Sequence, residues 1–299
     1  MASRRRQYGK VFDGVAAQYD AVRPSYPLEL VDAAVAAGSL DRDSAVLEIG
    51  CGTGKLTELL LGRGLRVHAV EPGANLVEVA RTRLGATGAV EFEIARFEDV
   101  QLPEAGFDAV FSATAFHWIE PAVGWQKVAA LLKADGLLAL LTHIAVHDER
   151  SAAMEEEMFR LVREHGPANG MDWTIPSTLE ATLAAAHAQT SNVSAVWDVI
   201  MNTGKHGLTV PEAAGLFEDI TLTTVLESHE QPADEVLAHL HTTSFWFTLE
   251  PNRRKPFEDA YRALIAQNGG TYPYTRAAVL MTAKSVPANT EGLARTGRV

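Results

Sequence analysis

The sequence predicts an α/β fold: a mostly parallel β-sheet of seven strands with helices on both faces and a helical insertion after the fifth strand. Between residue 45 and about residue 142, short β-rich apolar runs alternate with longer helical stretches. The apolar runs are continuous rather than alternating, which is typical of strands that are covered on both faces. The composition agrees, because 47% of the 299 residues are apolar and 21% are charged, as in proteins that bury a core.

The first half of the chain supplies five of these strands. A short helix over residues 9–19 and an alanine-rich amphipathic helix over residues 28–37 precede them, with the turn region of Pro24 and Pro27 in between. A helical stretch over residues 55–62 separates the first two strands. The strands are predicted at residues 45–49, 66–70, 90–95, 107–112 and 137–142.

The alternating pattern ends after residue 147. Helices are predicted over residues 149–165, over residues 177–189 with Ser177 as a cap, and from residue 211 to 217 after a cap at Thr209. Two further strands, at residues 222–228 and 277–284, are separated by helical stretches over 232–243 and 256–267 and complete the same sheet. The expected organisation is a core of residues 1–146 and 218–286, a helical cap of residues 147–217, and a mobile tail of residues 287–299.

Charge and composition exclude several classes of partner. The chain has 38 acidic and 26 basic side chains and a formal net charge of −12, and its dense basic cluster, at residues 4–6, lies near a terminus. A nucleic-acid binder needs a basic surface, so this class is not expected. No 18-residue apolar run or hydrophobic signal core is present, so no membrane association is expected either. The single cysteine, Cys51, fits a cytoplasmic protein, and the pattern leaves monomer and homodimer open.

A glycine-rich turn directly follows the first strand. Gly50, Gly52 and Gly54 stand between that strand and the next helix. Glycine permits positive φ and lets the backbone approach a bound nucleotide closely. A dinucleotide fingerprint, Gly-x-Gly-x-x-Gly, requires a glycine at position 55, where this chain has Lys55. The turn therefore predicts a nucleotide-type ligand and disfavours a nicotinamide dinucleotide.

An acidic residue ends the second strand at a spacing that completes such a site. Glu71 lies 19 residues beyond Gly52. In an open α/β sheet the ligand spans the carboxyl ends of neighbouring strands, so a carboxylate there can accept hydrogen bonds from both hydroxyls of a ribose. The turn and Glu71 together predict a nucleoside site.

At this point the chain resembles the class I S-adenosylmethionine-dependent methyltransferases, which have a Rossmann-like fold. The matching segments are residues 48–54, 70–72, 107–112 and 131–137. Phe116-His117-Trp118 and the segment over residues 12–27 look more narrowly like the methyltransferase type 11 small-molecule branch that includes trans-aconitate methyltransferases. The resemblance implies S-adenosylmethionine as cofactor and methyl transfer to a small molecule, with a carboxylate or a phenol or alcohol oxygen as the favoured acceptor. The predicted cap would then line the acceptor pocket.

The resemblance also implies which residues bind the cofactor. Arg96 stands where the family often has an aspartate that holds the adenine, so Phe97 is expected to supply a backbone N–H and apolar packing. Glu98 either assists there or pairs with Arg96. The cofactor-binding residues expected on this basis are Tyr19, Glu48, Gly50, Cys51, Gly52, Gly54, Glu71, Pro72, Phe97, Glu98 and Ala113.

Two histidines near strand ends are the candidate catalytic residues. His117 follows the fourth strand, and His143 follows the fifth. Either could act as a general base for a phenol or alcohol, whereas a carboxylate acceptor is already ionised and needs none. His117 could instead cap a turn or order Trp118. The residues expected to bind the acceptor are Arg23, Tyr26, Trp118, Trp173 and Trp246, with Trp197 as a further aromatic wall residue, and no metal site is predicted.

Two alternatives stay open at the level of sequence. The fold could use a bound cofactor as a structural or electrostatic element in a non-methylating reaction, such as a cyclisation or a decarboxylation. The chain could also be a regulatory module that senses the cofactor. The aromatic-rich insertion favours an acceptor pocket, and hence an enzyme, over the second alternative.

Overall fold

The computed structural model describes residues 12–85, 88–166, 176–201 and 208–286, and within these ranges seven strands form one sheet. The strand order is β3-β2-β1-β4-β5-β7-β6. The first five strands are parallel, and β7 runs antiparallel between β5 and β6. The predicted fold class is confirmed. The strands are β1 (Ala45–Ile49), β2 (Arg66–Val70), β3 (Val90–Glu93), β4 (Phe107–Ala113), β5 (Leu132–Val146), β6 (Phe217–Pro232) and β7 (Thr271–Ser285).

Helices connect the strands and cover the sheet. Pro251 at the start of the longest helix fits the rule that proline is favoured in a first helical turn, where its missing N–H costs no bond. The helices are α1 (Ala16–Val22), α2 (Leu28–Ala37), α3 (Lys55–Leu61), α4 (Ala74–Leu84), α5 (Pro121–Leu131), α6 (Ala152–His165), α7 (Leu179–His187), α8 (Val193–Ile200), α9 (Ala233–Leu240), α10 (Ser244–Thr248) and α11 (Pro251–Gln267), with 3-10 turns at Phe116–Trp118 and Pro211–Ala213.

The continuous apolar strands are buried on both faces, as their sequences predict. Successive side chains of a strand point to opposite faces of the sheet. Leu47 and Val110 therefore belong to a hydrophobic cluster on one face, and Val46 and Ala109 belong to a second cluster on the other. Burial on both faces explains why these strands do not alternate between apolar and polar residues.

Several predicted boundaries are wrong. The helix expected over residues 211–217 is only a 3-10 turn, because Phe217 already pairs with Ser285 at the start of β6. The cap of α7 is Thr178 rather than Ser177, since the Thr178 hydroxyl accepts a hydrogen bond from the Ala181 N–H at 3.2 Å. The first helix lies later than expected, at α1, and β3 is shorter than expected while β5 is longer.

The helices that follow β5 do not pack as one unit. Helix α6 packs on α11 and shares a hydrophobic cluster with residues of α9 and α10. Helix α8 instead buries Trp197, 1% exposed, in the cluster below the sheet. We call α6 and α9–α11 the aromatic cap. This cap comes from two chain segments, so residues 147–217 as a single cap domain stay a prediction, and the predicted tail 287–299 lies outside the described residues.

Helix α1 lies between α4 and α9, next to the carboxyl ends of the parallel strands. The Asp13 carboxylate accepts hydrogen bonds from the N–H groups of Asn75 (2.7 Å) and Leu76 (3.2 Å) and so caps α4. Asp20 of α1 forms ion pairs with Arg83 and with Lys55. These contacts fix α1 over the sheet edge. In the portion of the chain that the structure describes, no helix has the length and apolar content to cross a bilayer.

Candidate active site

The glycine turn after β1 is shaped by two different steric requirements. Gly50 and Gly52 have φ values of +72° and +55°, in the left-handed region that favours glycine. A Cβ on Gly50 would come within 2.3 Å of the Cβ of Ala115, whereas a Cβ on Gly52 would meet no atom within 4 Å. Packing therefore requires glycine at position 50, while Gly52 faces open space that a side chain would fill. This open space fits the predicted nucleoside cofactor.

Glu71 is fixed at the same turn. Its Oε2 accepts a hydrogen bond from the Gly52 N–H at 3.1 Å, and its Oε1 accepts one from the Gly73 N–H at 2.9 Å. Burial raises the pKa of Glu71 to about 7, although the two backbone bonds act in the opposite direction. Each carboxyl oxygen can accept a second hydrogen bond, so the group can still receive both hydroxyls of a ribose.

Glu48 is a second buried carboxyl beside the turn. It is 1% exposed, and its Oε2 has no hydrogen-bond partner among the residues that the structure describes. Burial raises the pKa of Glu48 to about 7; the nearby Thr57 hydroxyl acts in the opposite direction, and the charge of Glu71 adds to the effect of burial. An unpartnered oxygen facing a cavity is a binding position for a polar ligand atom, because buried polar groups are normally hydrogen-bonded.

A cavity of about 230 Å³ lies against the turn and brings together residues from the strand ends and α1. Gly54 does not line this cavity. A Cβ on Gly54 would lie 3.0 Å from the Cβ of Ala80, so glycine at this position lets α4 pack closely against the turn. The predicted site residues that line the cavity are Tyr19, Arg23, Tyr26, Glu48, Gly50, Cys51, Gly52, Ala113 and His143. We call it the turn cavity.

An aromatic lid covers this end of the site. The Arg23 guanidinium lies 5.1 Å from the centre of the Tyr19 ring. The Phe12 ring packs edge-on to Tyr19 with centroids 5.7 Å apart and lies 5.9 Å from the ring of Trp118. Trp118 therefore contributes to the lid, rather than to the cavity wall where the sequence placed it.

His143 lies near the C-terminal end of β5, in the wall of the turn cavity. Its ring stacks on Tyr26 with centroids 5.0 Å apart, and the Tyr26 hydroxyl is hydrogen-bonded to Thr114 Oγ1 at 2.7 Å. Burial, reinforced by the positive charge of Arg276, lowers the pKa of His143 to about 4. Its Nε2 has no hydrogen-bond partner among the described residues. His143 is therefore a neutral imidazole at pH 7, with a buried ring nitrogen that no described residue satisfies.

Sequence reasoning missed several residues of the same wall, among them His239 of α9 and Tyr274 and Arg276 of β7. Burial, followed by the charge of Arg23, lowers the pKa of His239 to about 4. Tyr272, Tyr274 and Arg276 follow a period of two, which places them on one face of a strand. The predicted strand began at residue 277, so this stripe lay just outside it.

A second cavity of about 460 Å³ shares His143, Ile144, Ala145, His239 and Tyr274 with the turn cavity. We call it the aromatic cavity, because its other walls carry Phe159, Phe245, Phe257, Tyr261 and Tyr272 from the aromatic cap and β7. Its lining includes one buried carboxyl, Glu155, whose Oε1 accepts a hydrogen bond from Ser151 Oγ at 2.8 Å. The site thus has a polar end at the glycine turn and an apolar end under the cap.

Several predicted residues do not line either cavity. His117 lies in the 3-10 turn after β4, with its ring 4.7 Å from that of Trp118. The ring of Trp246 packs between the His241 ring, with centroids 4.3 Å apart, and the Arg254 guanidinium, 5.6 Å from the ring centre. Its neighbour Phe245 lines the aromatic cavity. Pro72 is exposed next to Glu71. Trp173 lies outside the described residues.

The segment after β3 differs from a simple adenine pocket. Phe97 is 3% exposed in the core, and the Lys127 ammonium, 5.0 Å from its ring centre, donates a hydrogen bond to the Phe97 carbonyl at 2.7 Å. Glu98 pairs with Arg96 at 2.8 Å and also accepts a bond from the Glu120 N–H at 3.2 Å. Of the two alternatives for the Glu98 side chain, pairing with Arg96 is the one that the geometry adopts.

Over the described ranges, no group of three or more His, Cys, Asp or Glu side chains is arranged to hold a metal ion.

Comparison with known proteins matches part of the chain to a methyltransferase domain. A family model described as a methyltransferase domain matches residues 47–140, which run from β1 into β5 and include the glycine turn and Glu71. An uncharacterized methyltransferase of Mycobacterium tuberculosis is 36% identical over 156 residues, which are 52% of this chain and 60% of that protein. Residues 47–140 therefore match a methyltransferase domain, and the chain is similar to the class I S-adenosylmethionine-dependent methyltransferases. The chain spans about three fifths of the length of that relative.

Further known proteins match part of the chain or share its fold. A malonyl-acyl-carrier-protein O-methyltransferase of Acetivibrio thermocellus is 37% identical over 110 residues, covering 34% of this chain and 38% of that protein. A solved structure of a candidate type II methyltransferase from Anaeromyxobacter dehalogenans has a TM-score of 0.57 at 21% identity and covers 89% of this chain and 99% of its own. The structure of the (4+2)-cyclase SpnF has a TM-score of 0.51 at 13% identity and covers 94% of this chain and 97% of its own. At these identities the two structures show the shared fold.

Proposed function

We propose that the chain transfers the methyl group of S-adenosylmethionine to an oxygen of a small-molecule acceptor, a carboxylate or a phenol or alcohol. The observation that carries this proposal is the pair of adjoining cavities, which share a wall that includes His143, His239 and Tyr274. One cavity adjoins the glycine turn of the matched methyltransferase domain, and the other is large and apolar enough for an organic acceptor.

The proposed cofactor position rests on the turn. Glu71 would accept the ribose hydroxyls, and the backbone at Gly50 and Gly52 would run along the ribose and methionine end. Tyr19 would present its ring to the cationic sulfur, since aromatic faces attract cations. When bound, S-adenosylmethionine supplies an electrophilic methyl group on sulfur.

The proposed role of the protein is mainly to position and desolvate the reactants. An acceptor oxygen placed beside the wall that the two cavities share would approach the methyl carbon from the side opposite to sulfur. The buried walls would exclude water. A carboxylate acceptor would need no base. A phenol or alcohol would need to lose its proton, and the unpartnered Nε2 of His143 would be the position to receive it.

We also propose a cytoplasmic protein with a small-molecule partner. The single Cys51, which is buried in the glycine turn, is consistent with a reducing compartment. The formal net charge of −12 supports a partner other than nucleic acid.

Calorimetric titration with S-adenosylmethionine, S-adenosylhomocysteine and NAD tests the cofactor. We expect binding of the two adenosyl ligands only and its loss in Gly52→Val, whose side chain would fill the open space of the turn. Gly85→Val is the matched control, because Gly85 has a similar φ of +62° and open surroundings away from the site. A folded wild type that prefers NAD, or a Gly85→Val variant that loses binding equally, would contradict the proposed site.

Release of S-adenosylhomocysteine in the presence of candidate acceptors tests the reaction. We expect release with at least one carboxylic acid, phenol or alcohol. Tight adenosyl binding without any release would instead favour a non-methylating role for the cofactor.

A further inference from the structure

The wall of the turn cavity carries an excess of positive charge among the residues that the structure describes. Its charged side chains are Arg23, Lys55, Arg276 and Glu48. Lys55 is balanced by Asp20 at 3.5 Å, and Arg276 is paired with Glu227 at 2.6 Å. Arg23 donates only to the neutral Thr242, to its Oγ1 at 3.1 Å and to its carbonyl at 2.6 Å, so no described carboxylate balances it. Such a wall favours an anionic ligand.

Two guanidinium groups can serve two anions. S-adenosylmethionine carries a carboxylate of its own, which accounts for one of them. Arg276 is the group that belongs to the acceptor end, because its Nη1 donates to the hydroxyl of Tyr274 at 3.4 Å, and Tyr274 lines both cavities.

The Arg276 side chain is held in place with donor capacity to spare. It is 15% exposed, and its Nε donates to Glu227 Oε2 at 2.6 Å. Its Nη2 has no acceptor among the described residues. A guanidinium held on one side by its neighbours needs little further ordering to bind a carboxylate oxygen on the other.

The histidines of the shared wall are poor bases. The pKa values of His143 and His239 are both lowered to about 4, first of all by burial. A general base works best when its pKa lies near the operating pH. These residues are therefore better suited to an acceptor that arrives ionised than to one that must lose a proton in the reaction.

The aromatic cavity selects for an apolar body with one charge. The rings of Phe245 and Phe257 lie 5.4 Å apart and those of Tyr261 and Tyr272 lie 6.2 Å apart, which gives broad apolar walls. Glu155 is 4% exposed in this lining, and its Oε2 has no hydrogen-bond partner among the described residues. A second carboxylate on the ligand would have to be buried beside this carboxyl group, without a described cation to pair with it.

From this arrangement we infer that the acceptor is a monocarboxylic acid with an apolar body, whose carboxylate is bound by Arg276 and whose body fills the aromatic cavity. This inference rests on the proposed function and adds the class of acceptor to it. In the reaction, a lone pair of the carboxylate oxygen forms the new O–CH₃ bond while the C–S bond breaks and its electron pair remains on sulfur. The products are the methyl ester and S-adenosylhomocysteine, and no proton is transferred.

The test compares acids with neutral molecules of the same shape. The probes are 3-phenylpropanoic acid and the straight-chain acids from hexanoic to decanoic, each paired with its primary amide, and propane-1,2,3-tricarboxylic acid. Binding to the protein saturated with S-adenosylhomocysteine is measured by calorimetry, and methyl ester formation by mass spectrometry. We expect at least one monocarboxylic acid to bind about ten- to a hundredfold more tightly than its amide and to be methylated, because a charge-assisted hydrogen bond contributes this much.

Variants separate binding of the carboxylate from a general structural effect. Arg276→Gln should remove most of the preference for acid over amide, Arg276→Lys should restore part of it, and both should keep the wild-type affinity for S-adenosylhomocysteine. Arg160→Gln is the matched control, because Arg160 is an exposed arginine on α6 that pairs with Glu157 and Glu164. It should keep the preference for acid.

The outcomes distinguish the inference from the proposed function. If the protein binds S-adenosylhomocysteine but no acid binds better than its amide, if the tricarboxylic acid binds best, or if Arg276→Gln keeps the preference, the inference is wrong. Methylation of phenols but not of acids would also overturn it while leaving the proposed function intact. Failure to bind either adenosyl ligand would overturn the proposed function itself.

Discussion

The buried Glu48 carboxyl predicts an unusual dependence of stability on pH. Burial raises its pKa in the folded protein from 4.5 to about 7. The folded state therefore binds more protons than the unfolded state between these values, so stability is highest at low pH and falls as the pH rises from about 4.5 to 7. With about 1.36 kcal/mol for each unit of pKa, this group reduces the free energy of unfolding by about 3 kcal/mol at pH 8 and by about 1 kcal/mol at pH 5.

Replacing the carboxyl by an amide removes this dependence. Relative to wild type, the free energy of unfolding of Glu48→Gln should be about 2 kcal/mol larger at pH 8 than at pH 5, so the substitution is more stabilising at pH 8. Using the difference between two pH values cancels any pH-independent effect of the substitution. The assay is urea unfolding of the ligand-free proteins, with Glu104→Gln, at an exposed loop position, as control. A Glu48→Gln effect that is equal at both pH values, or that is more favourable at pH 5, would refute the reasoning.

Two further substitutions test the cover of the sheet edge and the core. Asp13→Ala removes the side chain through which the lid segment caps α4, so it should lower the free energy of unfolding by about 1–2 kcal/mol in urea unfolding. It should also speed dissociation of S-adenosylhomocysteine in stopped-flow measurements, and unchanged dissociation would argue against a lid role. Trp197→Ala should lower the free energy of unfolding by about 3–5 kcal/mol and leave acceptor preference unchanged, because Trp197 is a core residue. An altered preference with a decrease of less than about 1 kcal/mol would indicate that Trp197 lines the acceptor pocket.

Two histidines that are equivalent in the sequence pattern have different surroundings in the structure. Both His117 and His143 stand just after a predicted strand. Strand β5 continues beyond the last residue of β4, because Ala113 pairs with Leu141, and this carries His143 into the cavity wall. The chain after β4 instead turns at Thr114, which has a φ of +51°, and takes His117 into a separate 3-10 turn. The length of a strand relative to its neighbour depends on pairing with β7, which no local pattern encodes.

The sequence by itself determined the α/β sheet, the glycine turn and the position of Glu71. These features depend on residues that are close in the chain or on adjacent parallel strands, where hydrophobic pattern and spacing are sufficient. The strand residues of both faces, such as Val46 and Leu47, were predictable for the same reason.

Only the tertiary structure decided the proposed acceptor end of the site. Arg276 and His239 come from β7 and α9, more than 90 residues beyond His143 in the chain, and the aromatic cap combines α6 with helices between β6 and β7. Their meeting depends on strand order and on helix packing over long sequence separations. Nonlocal packing of this kind leaves no periodic signal in the sequence, because each segment shows only that it has an apolar face and not which other face will cover it.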